Sequence, residues 1–160
     1  MAQARAVLWQ LRPFLYSDDV FIPERAADAL GLVVARRSGR VSPSPDAPEL
    51  GSLGPGAEPS RIAGAAFVVF PERSRSPNGN ELHIALTSER FGCITLADME
   101  AVFGSTYEAS RQLPFQPPWS VEIPVDVAVY PVEAPLRRTI SFSYHFLDCL
   151  GGIDVWESRR

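Results

Sequence analysis

This sequence predicts an α+β fold in which short helices pack on one face of an antiparallel sheet, and three observations carry that reading. Two short helical segments each close on a glycine, at Gly31 and Gly104. Several later stretches alternate apolar and polar residues with the two-residue period of a half-buried strand. Two of the apolar stretches are separated by a polar connection holding Asn78-Gly79, a hairpin turn signal.

The better-marked helix spans Thr95 to Gly104. The Thr95 hydroxyl can accept from the Asp98 N–H, and the Asp98 carboxylate in the first turn complements the helix dipole. Leu96, Met99, Val102 and Phe103 fall on one face, and Gly104 sits where a left-handed residue would end the helix. A near-copy occupies Phe21 to Gly31, with Pro23 suited to the first helical position. Aligning Gly31 with Gly104 pairs Leu30 with Phe103 and Ala26 with Met99. The chain therefore reads as one domain, 1–160, built of two pseudo-repeats, 1–90 and 91–160.

Ahead of these, Val7, Leu8 and Leu11 share a helical face between Ala4 and Leu11, and Pro13 limits how far that helix continues. Leu32 to Val34 reads as a short strand. Residues 36–60 are Ser, Pro, Gly and Ala-rich and read as a flexible loop, since they offer little apolar surface to offset ordering entropy. Within it, Gly51 to Gly56 lacks the strand, helix and lysine of a phosphate loop and reads as a linker. Ile62 to Phe70 and Glu81 to Thr87 form the hairpin. Residues 105–118 read as irregular. Val121 to Tyr130, Thr139 to Leu147 and Gly152 to Trp156 then alternate as three antiparallel strands, and Pro124 and Pro131 mark the first as an edge.

Composition excludes several chemistries. All 15 basic residues are arginines, so neither a Schiff-base lysine nor a phosphate-binding loop lysine exists. A net charge of −4 disfavours nucleic acid as a partner. No apolar run reaches the roughly 20 residues of a membrane helix, and no secretory signal is read at the start. A cytoplasmic protein without membrane association is expected. In that compartment Cys93 and Cys149 read as reduced, half-buried thiols, with a disulfide as the alternative.

The order of helix, glycine, loop and sheet, taken twice, resembles the tandem fold of the beta-lactamase inhibitory protein family. It is also similar to the single-unit small outer-membrane lipoproteins of the barrel-assembly machinery. Thr95 to Gly104 and the closing segment Phe142 to Val155 carry the resemblance. It implies a protein that binds another protein across an exposed sheet face. Small α+β proteins of this composition are likewise similar to bacterial immunity proteins that neutralise toxins of contact-dependent or type VI secretion.

No catalytic signature competes with that reading. His145, Asp148 and Cys149 are close in sequence, but no third element orients the histidine as a nucleophile system requires. His83 and His145 lack further convergent ligands, so neither metal nor cofactor is expected. Glu122 and Asp126 lie about 13 Å apart along a strand, too far for a glycosidase pair. Strand parity supplies the candidate site instead. If Ile140, Phe142, Tyr144, Phe146, Val125, Val127, Ile153 and Val155 face the helices, then Glu122, Asp126, Tyr130, Ser143, His145, Asp154 and Trp156 share the opposite face. Aromatic groups beside carboxylates suit a protein partner with a basic surface. The predicted function is toxin neutralisation by an immunity protein; the alternative is a small enzyme or accessory subunit.

Overall fold

The computed structural model describes residues 2–38, 46–57, 62–71, 79–86, 92–105, 108–112, 125–132, 137–145 and 149–158. Its helices are α1 (Ala2–Leu15), α2 (Pro23–Leu30) and α3 (Leu96–Phe103), with a 3-10 turn at Asp18–Phe21. The strands are β1 (Leu32–Ser38), β2 (Glu49–Pro55), β3 (Ile62–Val69), β4 (Glu81–Leu86), β5 (Glu108–Gln112), β6 (Val125–Val132), β7 (Arg137–His145) and β8 (Cys149–Ser158). They form one sheet in the order β1-β2-β3-β4-β8-β7-β6-β5, antiparallel throughout. Two four-strand meanders thus meet through their last strands, β4 against β8.

The local signals act as their chemistry requires. Thr95 and Asp98 close a capping box: Thr95 Oγ1 accepts from the Asp98 N–H, and Asp98 Oδ2 accepts from the Thr95 N–H at 3.1 Å. Pro23 opens α2, and Gly31 ends it in the left-handed region at φ 66°, ψ 33°. Gly104 ends α3 differently, at φ 91°, ψ 170°, a conformation almost confined to glycine. Pro13 does not stop α1, which continues to Leu15.

The inner rows of the sheet make the core. Leu53, Ala65, Ile84, Ile153 and Phe142 stand in one cross-strand row, and all are buried. They join Leu8, Leu11 and Leu15 of α1, Leu30 of α2 and Met99 and Val102 of α3 in a single cluster. Arg138, only 5% exposed, ties the end of α1 to the sheet. Its Nη1 donates to the Leu15 and Ser17 carbonyls at 3.2 and 2.7 Å, its Nη2 donates to Glu157 at 2.7 Å, and the Phe21 ring lies 5.3 Å away. A buried cation is tolerable only with this complete set of partners.

Four expectations change. Residues 36–60, read as a loop, contain β2, and the Gly51–Gly56 linker is mostly strand. Its composition hides it because Gly51 must lack a side chain: a Cβ there would enter the Phe67 ring and the Arg36 carbonyl. Of the strand read at 121–130, the described part, Val125 onward, is not an edge, because β5, inside the stretch read as irregular, pairs beyond it. Cys93 and Cys149 are joined in a disulfide, where reduced thiols were expected. Folding brings them together because the backbone before α3 runs beside β8, with the Leu150 N–H donating to the Ile94 carbonyl at 2.9 Å.

Candidate functional site

The rows on the opposite side of the pleat from the buried row form the candidate site. One row reads Leu50, Val68, Glu81, Trp156 and Thr139 across β2, β3, β4, β8 and β7. The next reads Ser52, Ala66, His83, Asp154 and Ser141. Leu50 is 44% and Trp156 38% exposed, so an apolar stripe interrupted by Glu81 lies open beside a polar row that is exposed at His83 and buried at Ser141. Cross-strand neighbours on one face sit close enough to act together, and the pleat dictates which residues do.

The strongest polar feature is the couple His83–Asp154. The residues stand directly opposite each other on β4 and β8, and the His83 Nδ1–H donates to Asp154 Oδ1. The bond to the Asp154 carboxylate raises the His83 pKa above its ordinary 6.5, against an opposing push from partial burial. Behind the ring, Gly152 leaves room that a Cβ would crowd, 3.2 Å from His83 Cε1.

Of the residues predicted for this face, Ser143, Asp154 and Trp156 do occupy outer rows. His145 stands opposite Cys149 at the end of the β7–β8 ladder. Asp126 and Tyr130 lie on β6, next to β7. Asp126 stands opposite the buried Tyr144 and Tyr130 opposite the buried Ile140, while Val127 stands opposite Ser143. On β7 and β8 the parity is as expected, with Ile140, Phe142, Tyr144, Ile153 and Val155 all buried. Glu122, Phe146 and Asp148 lie outside the described residues.

Sequence reasoning missed Leu50, Glu81 and His83 as members of the site. The alternation of residues 81–87 does place His83 on a polar face. What it cannot show is that β4 lies against β8, a pairing between strands far apart in the chain. Chemically, a histidine–carboxylate couple is half of an acid–base device, and Cys149 cannot complete it as a nucleophile because its sulfur is bonded to Cys93. Among the described residues no group of three His, Cys, Asp or Glu could hold a metal ion, and no helix is long and apolar enough to cross a membrane.

No family model, no curated protein and no solved structure matches this chain.

Proposed function

We propose that this protein binds and neutralises another protein through the outer face of its sheet, most concretely as an immunity protein for a bacterial secreted toxin. The observation that carries the reading is the open stripe of Leu50, Val68 and Trp156 beside the His83–Asp154 couple. Exposed apolar groups gathered on one rigid sheet, rimmed by polar ones, suit a protein partner better than a small substrate, which a deep pocket would bury. Trp156 is the anchor expected to dominate the binding energy, and Glu81 and Asp154 favour a partner with a basic contact surface.

The two halves are proposed as pseudo-repeats within one domain. In this reading 1–90 supplies α2 with β1–β4 and 91–160 supplies α3 with β5–β8, each helix ending on a positive-φ glycine. The meeting of β4 with β8 supports it, since two related meanders joined by their last antiparallel strands are interchanged by a local two-fold axis. The immunity reading places the protein in the cytoplasm. There the Cys93–Cys149 bond would have to be transient or redox-sensing, because reducing pools keep cytosolic thiols free.

The test is to isolate the protein with its partner from native cells and measure affinity by calorimetry. Trp156→Ala should weaken binding by about 2 kcal/mol, and Glu81→Arg should slow association, most visibly at low salt. Thermal melts serve as the folding control. Unchanged affinity in both variants moves the interface off this face.

A further inference from the structure

The helix layer carries a second open surface, on the side of the molecule away from Trp156. On α1 and just beyond it, Trp9 is 51% and Tyr16 40% exposed. The guanidinium of Arg12 lies between them, 5.6 Å from the Trp9 ring centre and 5.5 Å from that of Tyr16. With Pro13 these residues line a concavity of about 400 Å³. We propose that this concavity docks an acidic, apolar segment of a protein partner, its carboxylate taken by Arg12 and a neighbouring apolar side chain by the Trp9–Tyr16 walls.

Charge is the first argument. α1 contains Arg5 and Arg12 and no acidic residue, in a chain of net charge −4. Arg5 is committed, its Nε donating to Asp98 at 2.9 Å. Arg37 and Arg138 are likewise paired with carboxylates. Arg12 has no carboxylate partner among the described residues. Ring contacts engage the faces of a guanidinium and leave its N–H fork for a carboxylate, which it matches in two parallel bonds.

Rigidity is the second. Tyr16 stacks on Phe103 with ring centres 6.4 Å apart, and Phe103 packs on the fully buried Phe142 at 4.8 Å. A ladder of rings thus runs from the core of the sheet to Arg12, so the docking groups are ordered before any partner arrives. Pre-ordering of Trp, Tyr and Arg is what lets a small patch bind, because less freedom is lost on contact. An anionic membrane is the poorer occupant. Electrostatic membrane attachment takes clusters of about 4–8 basic residues, whereas α1 has two and one is paired.

The probe is a random peptide library selected on the full chain. Enriched peptides should combine Asp or Glu with Phe, Leu or Trp. Their affinity, read by fluorescence anisotropy, should fall about thirtyfold in Trp9→Ala and again in Arg12→Gln, the loss expected of truncated anchors. Arg12→Glu should shift the enriched composition from acidic to basic. Trp156→Ala should leave the same peptides bound, which separates this site from the outer sheet face whatever becomes of that proposal. Enrichment without acidic residues would overturn the inference. So would indifference to Arg12→Gln in a variant whose melt matches the parent, or binding only to vesicles of phosphatidylcholine and phosphatidylserine.

Discussion

The outer sheet face and the α1 concavity both present a tryptophan beside an ionic group, and they are built on opposite principles. On the sheet, Trp156 is placed by the register of β4, β8 and β7, and its charged neighbour is the His83–Asp154 couple. On α1, Trp9 shares a helix with the Arg12 guanidinium, and a ladder of rings holds that guanidinium in place. One surface depends on non-local strand pairing and a histidine whose pKa the Asp154 carboxylate raises. The other depends on local helix spacing and a guanidinium held between two rings. A surface of the first kind responds to acidity.

The largest effect that bears on the contrast comes from the element both surfaces share. Phe142 is fully buried in β7 and is the foot of the ring ladder. Phe142→Ala should cost about 3–5 kcal/mol in a urea melt and should impair both surfaces together. If only one suffers, the ladder is not what orders Tyr16.

Asp98 separates them. It is 3% exposed and belongs to the helix layer alone, joining Arg5 of α1 to the start of α3. Burial pushes its pKa up, but hydrogen bonds from Arg5 and Thr95 outweigh that and hold it below the ordinary 3.8. The stabilisation is therefore present above the ordinary value and lost as pH falls through the lowered one. Asp98→Asn should destabilise by about 1–3 kcal/mol at neutral pH, with the gap to the parent narrowing in strong acid. Peptide binding at Arg12 should weaken with it, while the outer face should be untouched.

His83 gives the converse at smaller cost. Its pKa is raised, so the couple with Asp154 stabilises fully below pH 6.5 and is lost as pH rises through the raised value. His83→Gln should barely move the melting temperature, since the side chain is about half exposed. It should abolish whatever pH dependence partner affinity shows above pH 6.5, where the raised histidine loses its charge. Peptide binding at the Arg12 site should be indifferent to this substitution; a loss there would erase the distinction between the surfaces.

Much of this was legible locally. The capping box at Thr95 and Asp98, Pro23 at the start of α2, and the glycines that end α2 and α3 depend on neighbours in sequence, and each behaves as its chemistry demands. The β3–β4 hairpin and the parity of β7 and β8 are also local or strongly patterned. Illegible were features set by distant partners. Gly51 looks like linker until Phe67 fills the space over it. The partners of Asp126 and Tyr130 are set by β7, a strand that the local pattern cannot register against them. The α1 concavity was missed although Trp9, Arg12 and Tyr16 follow helical spacing, because the apolar face of α1 drew the reading toward the core.

The disulfide between Cys93 and Cys149 turns part of the chain into a lasso. Its 56-residue span holds α3, β5, β6 and β7, whereas α1, α2 and β1–β4 lie outside. A pulling force applied at the two ends of the molecule would pass through the sulfur bridge and leave the looped segment unloaded. Reduction would release about 190 Å of additional contour, from the reach of an extended chain. A single-molecule stretching trace would therefore distinguish the oxidised from the reduced protein by length alone.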